Sequence, residues 1–182
     1  MIQLVGLLWG MALVFGFIGF MRGLSRELIA TAGIILGLFA LFQFDDVLRG
    51  TLLANVPNDQ KFWVQSILFV GIVFFAYQTR GLSRRAASGG ARQDGRDQLQ
   101  ANVLGAIVGF INGYLVWGTL WYFMHINNYP LNPYISQPPP GSPSAQAVNI
   151  LPLYVLAGGP DGAGNLLSLA VILLFVFVLI VI

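Results

Sequence analysis

The polar and apolar residues of this chain fall into long blocks. The first apolar block runs from Ile2 to Met21, with Gln3 as its strong polar interruption, close to the ~20 residues that cross a hydrocarbon core as a helix. A second covers 28–44 and stops at Asp45-Asp46. A third covers 62–79 and is introduced by Pro57-Asn58-Asp59-Gln60-Lys61, and the fourth and longest, 103–124, holds Asn112 in its middle third. Between the second and third, Val47, Leu48, Leu52, Leu53 and Val56 recur near helical spacing around Arg49 and Asn55. That pattern predicts a short helix lying at the membrane interface until Pro57 stops it.

From 125 to 165 the periodicity disappears, and prolines gather at 130, 133, 138–140 and 143. Such density favours extended polyproline geometry, and a stretch this long is expected to be partly disordered or held against a surface it cannot supply itself. Ile150 to Leu156 is expected to dip into the interface. The last block, 166–182, is almost wholly aliphatic and aromatic and reaches ~25 Å as a helix, slightly short of a ~30 Å core. It ends without a polar tail, so either the C-terminus lies at the membrane surface or a tail follows. The expected fold is therefore an all-α integral membrane bundle of about five transmembrane helices. It has three parts: a four-span bundle over 1–124, a Pro-rich extracytoplasmic loop over 125–165 and a fifth span over 166–182.

Composition agrees: 57% of the 182 residues are hydrophobic and 9% charged, against roughly 25% charged in soluble domains. With no Cys, disulfides, thiolate metal sites and cysteine catalysis are excluded. Charge placement sets an expected orientation. Arg22 and Arg26 follow the first span, and Arg80, Arg84, Arg85, Arg92 and Arg96 crowd the basic loop 80–98; alternation puts these seven on one side and only Arg49 and Lys61 on the other. The arginine-rich side is read as cytoplasmic, with the N-terminus outside and the C-terminus inside a cytoplasmic (inner) membrane. The first block has its arginines after it, so it reads as a retained helix instead of a cleaved signal.

Glycine is the most patterned residue. Gly105, Gly109 and Gly113 recur every four positions on the fourth span, Gly33 and Gly37 on the second, Gly6 and Gly10 on the first. Each series makes a flat groove that lets helix backbones approach, either within the chain or against a second copy or partner. An internal likeness also runs between Gly19-Phe20-Met21-Arg22-Gly23-Leu24 and Gly109-Phe110-Ile111-Asn112-Gly113-Tyr114, as a duplicated hairpin would leave.

Two of these segments resemble the colicin V production protein family. Arg22-Gly23-Leu24-Ser25-Arg26-Glu27-Leu28 before a Gly-containing span looks like the start of that family, and Asn102 to Gly113 is similar to its second Gly-rich helix. The resemblance covers roughly residues 1–124. It departs at Asn102 and Asn112, where members commonly carry Arg. It implies a multi-span membrane protein linked to export or envelope organisation, and supplies no molecular activity.

Chemistry is sparse. Arg22, Arg26 and Glu27 sit at the mouth of the first hairpin, as topology anchors and a helix start or as a partner-binding or gating cluster. No charge is expected deep in any span, which argues against proton-coupled transport, and Asn112 is expected to donate an interhelical hydrogen bond. His125, beside Trp121 and Tyr122, fits an aromatic belt better than a metal site. Walker loops, serine elbows and paired catalytic carboxylates are absent, and the basic loop has no aromatic residue for nucleic-acid stacking. The expected role is a non-catalytic scaffold or accessory subunit without a cofactor, touching lipids and other membrane proteins or a second copy. A transporter reading requires a wet path lined by Gln65, Ser66, Asn112 and Thr119.

Overall fold

A computed structural model describes residues 3–78 and 95–181, and among them there is no strand. Helices α1 (Leu4–Arg22) and α2 (Leu24–Gln43) form a hairpin on a one-residue joint. Gly23 makes that joint at φ 78°, ψ 164°, a conformation essentially reserved for glycine. A short π-helical segment, Asp46–Leu52, follows where an interfacial helix is expected, with Val47 and Leu52 exposed. Helix α3 (Asn58–Gln78) starts just after Pro57, four residues ahead of its apolar block. Helix α4 spans Gly95–Ile126, so the end of the expected basic loop is helical. Arg80, Arg84, Arg85 and Arg92 lie outside the described residues.

Helices α1 to α4 are each long and apolar enough to cross a membrane. Large apolar side chains such as Leu13, Phe17, Met21, Ile67 and Phe75 point outward, as suits helices that meet lipid on their perimeter. The most enclosed is α4, which packs on α1, α2 and α3. The α1–α4 contact is backbone to backbone: a methyl at Gly109 would fall 2.5 Å from the Phe15 carbonyl oxygen, and one at Gly105 2.5 Å from that of Gly19. Gly113 closes on Ala12 and Phe15 in the same way. On α2, Gly33 faces Ala76 and Gly37 faces Ile72 of α3. Gly6 and Gly10 face open space.

The Pro-rich segment departs from expectation, because it finds its surface on its own bundle. Short helices α5 (Pro143–Ala147) and α6 (Pro152–Ala157) flank a 3-10 turn at Val148–Ile150. Ser142 caps α5 by accepting the Ala145 amide, with Pro143 at the first turn where its missing N–H is harmless. Pro152 seats in the notch left by Gly118, and Tyr114 donates its hydroxyl to the Ile150 carbonyl. Leu151 and Leu153 are fully buried. Ser144 accepts the Val5 N–H at 3.3 Å, satisfying a first-turn donor of α1 across 139 residues of sequence. The sequence argument failed here because each apolar run is far too short to read as a helix packed in a bundle. Its docking notch, Gly118, belongs to a different block.

Helix α7 (Asn165–Val181) is a further apolar helix of 17 residues, shorter than the four above. Its start docks on α2, where Gly164 lies against the Phe42 ring.

Candidate functional site

Polar side chains inside the bundle form two clusters at opposite ends of α2. The first centres on Glu27, whose side chain is completely buried. Glu27 lies in the first turn of α2, at the mouth of the first hairpin where the sequence places it; what the sequence did not reveal is that three other helices enclose it. Arg22 at the end of α1 donates to Glu27 Oε1 at 2.6 Å. Asn112 of α4 donates to Glu27 Oε2 at 2.9 Å, and Tyr77 of α3 donates to the same oxygen at 3.2 Å. Thr31 closes the network by donating to Asn112 Oδ1 at 2.8 Å. Arg22 also lies over the Tyr77 ring, 4.4 Å from its centroid, and donates to the Tyr77 carbonyl. One carboxylate thus ties four helices, with its charge matched by one guanidinium and its remaining lone pairs by neutral donors.

Arg22 and Glu27 therefore meet, whereas Arg26 points away and is exposed. Asn112 makes an interhelical hydrogen bond to Glu27, and the two halves of the internal likeness converge on one group, since Arg22 and Asn112 occupy equivalent places in it. Tyr77 and Thr31 escaped the sequence reading. Their only signals are a phenol at the end of a span and a Thr one turn beyond Glu27.

The second cluster joins the α2–α3 connection to the end of α4. Gln65 donates to Asp45 Oδ1 at 2.9 Å and accepts from Asn127 at 2.9 Å, while Arg49 lies 3.9 Å from Asp45. Burial pushes the Asp45 carboxyl above the usual carboxylate range; the Arg49 charge opposes this, Asp46 adds to it, and the Gln65 hydrogen bond opposes it. Among the described residues, the buried Asn127 Oδ1 has no hydrogen-bond partner. Neither does the buried Ser66 Oγ, which borders an apolar cleft.

The four residues required for a wet path are dispersed. Asn112 is bound into the Glu27 cluster, Gln65 into the Asp45 cluster, Thr119 donates to the Leu115 carbonyl one turn back, and Ser66 borders an apolar cleft. Between the clusters the packing is apolar, with Ile34 and Leu38 of α2 and Phe69 of α3 completely buried. His125 lies among Tyr129 and Tyr154, its Nδ1 3.1 Å from the Tyr129 hydroxyl. Among the described residues, no three His, Asp or Glu side chains gather as a metal site would require.

Comparison with curated proteins and with solved structures returns no match. A family model does match, that of the colicin V production protein, over residues 6–138. Those residues include the Gly105, Gly109 and Gly113 series of the α1–α4 contact and every member of the Glu27 and Asp45 clusters. With most of its length matched, four apolar helices and the Arg22 to Leu28 run at its first hairpin, the chain belongs to the colicin V production protein family of membrane proteins.

Proposed function

We propose that this chain is a non-catalytic scaffold or assembly protein of the cytoplasmic (inner) membrane, or an accessory subunit of a larger membrane complex. The observation that carries this reading is how the polar groups are used. Glu27, Arg22, Asn112, Tyr77 and Thr31 are spent on one another, holding helices together instead of facing a space where a substrate would sit. A satisfied internal network of this kind fixes one arrangement of helices. The outer faces of α1 and α4, with Leu13, Phe17, Ile107 and Ile111 exposed, remain free for neighbours in the membrane. The excess of basic residues in the first and third connections supports an N-terminus outside, and a role in export or envelope organisation is part of this proposal, in keeping with the family's description as colicin V production proteins.

Extraction in mild detergent followed by affinity purification and mass spectrometry tests this. Stoichiometric recovery of larger membrane proteins is expected, and recovery of the chain by itself under several detergents overturns it. A transporter is the second reading, favoured by one observation: a buried carboxylate inside a span is a usual mark of an ion path. It requires flux in reconstituted liposomes that Glu27→Gln abolishes.

A further inference from the structure

Two spaces adjoin the start of α1. One is an apolar cleft of about 420 Å³ between α1, α3 and α4, with Leu8, Phe62 and Met124 in its walls. The other is a cavity of about 640 Å³ lined mainly by the Pro-rich segment, with Gln137, Pro138 and Ser142 among its walls. Leu4 and Ile135 border both, so these two side chains form the partition. Leu4 is fixed in α1. Ile135 belongs to residues 130–142, which are held quite differently.

That segment is anchored at its two ends. Before it, the buried Tyr129 hydroxyl lies 3.3 Å from Trp121 Nε1 and 3.1 Å from His125 Nδ1. After it, the buried Ser144 accepts the Val5 N–H. Between these posts, among the described residues, every hydrogen bond is local and reaches no further than five residues: Asn132 N–H to the Tyr129 carbonyl, Ile135 N–H to Leu131, Ser142 N–H to Pro139, Ala145 N–H to the Ser142 hydroxyl and the Gln146 side chain to Gly141. Five of the thirteen residues are proline and have no N–H to donate, so the segment cannot zip onto the bundle through its backbone. The consecutive rings at 138–140 also stiffen it. Its grip on the bundle is apolar, through the half-buried Leu131 and Ile135, whereas Tyr134 beside them is 88% exposed.

Both ends carry joints. Asn128 and Tyr129 take φ 61° and 52° where the chain leaves α4, and Gly141 takes φ 78° before α5. A methyl at Gly141 would meet nothing within 4 Å, so that joint has room to turn. A stiff piece between two joints, with few buried contacts and local hydrogen bonds, is the kind of element that opens on its own while the rest of the fold stays intact.

We propose that residues 130–142 are a hinged lid on the apolar cleft, seated by Ile135. With Ile135 down, cleft and outer cavity are separate; with it lifted, they become one space. The lid is independent of the scaffold reading.

The test uses the absence of cysteine from the chain. Met124→Cys places a single thiol in the buried wall of the cleft, and its labelling by a water-soluble maleimide is timed in the full chain in nanodiscs. Slow labelling is expected. Adding Ile135→Ala speeds it about ten-fold, the worth of a half-buried isoleucine, whereas adding Tyr134→Ala leaves it within about two-fold. Should Ile135→Ala fail to fold by gel filtration, Ile135→Val carries the same comparison with about a three-fold rise. Labelling of Met124→Cys by itself as fast as that of Tyr134→Cys overturns the proposal, because the cleft then stands open. A rate unchanged by the Ile135 substitution, or raised equally by Tyr134→Ala, also overturns it, because Ile135 then does not seat a lid.

Discussion

The two polar clusters of the bundle solve the same problem differently. At the Glu27 end, a carboxylate is buried completely and accepts from Arg22, Asn112 and Tyr77, with an ion pair of 2.6 Å at the centre. At the Asp45 end, a carboxylate that is 30% exposed is held mainly by amides, its cation stands 3.9 Å away, and Asn127 Oδ1 goes unpaired. The first arrangement tolerates little change, because removing one member strands the rest away from water. In the second, Asp45 and Arg49 are partly exposed, so water can replace a partner lost to them. The bundle is thus pinned at one end and adjustable at the other.

The strongest way to break this contrast is Glu27→Ala. It strands the Arg22 guanidinium, the Tyr77 hydroxyl and the Asn112 amide. A loss of about 3 kcal/mol is expected, at the low end for a broken buried pair because Arg22 is 19% exposed and retains some access to water. Asn112→Arg, which would install the residue common in the family, adds a second cation against one carboxylate and is expected to cost about as much. Denaturant unfolding in micelles measures both; wild-type stability in Glu27→Ala would show that the cluster does not pin the bundle.

Glycine packing sharpens the contrast next. Gly109→Ala places a methyl 2.5 Å from the Phe15 carbonyl and 2.9 Å from the Gly19 Cα, so α1 and α4 must separate, at a cost of about 1–3 kcal/mol. Gly10→Ala meets nothing within 4 Å and is expected to change stability by no more than about 0.5 kcal/mol. Equal effects at the two positions would mean that backbone approach is not what Gly109 provides. At the Asp45 end, Gln65→Ala removes two hydrogen bonds, one of them to the partly exposed Asp45, with an expected loss of about 1 kcal/mol, well below that of Glu27→Ala.

Sequence patterns were informative in proportion to how local their cause is. The four long helices follow from apolar blocks about as long as the bilayer is thick. Asn112 was readable as a donor because an amide in a span needs a partner. Its acceptor was not, since Glu27 looked like the start of a helix at the membrane surface and only the close α1–α4 contact encloses it. The Pro-rich segment was misread for a related reason. Pro152 fits Gly118, and Ser144 caps α1, across sequence separations that no periodicity reveals.

The smallest expected effect concerns pH and belongs to the Asp45 end alone. Burial, as the leading cause, leaves the folded-state pKa of Asp45 above its unfolded value. The folded chain then holds a proton at pH values where the unfolded chain has lost it. The contribution of Asp45 to stability is therefore fully present below the unfolded pKa and is lost as pH rises through the raised folded value. Other carboxylates titrate in the same range, so the measurement is a difference: the melting temperature of wild type minus that of Asp45→Asn, followed upward from acid pH in detergent. That difference should fall through the window between the two pKa values and stay level above it. A difference that rises with pH instead would mean that Arg49, 3.9 Å away, outweighs burial and that the Asp45 end is pinned by charge as the Glu27 end is.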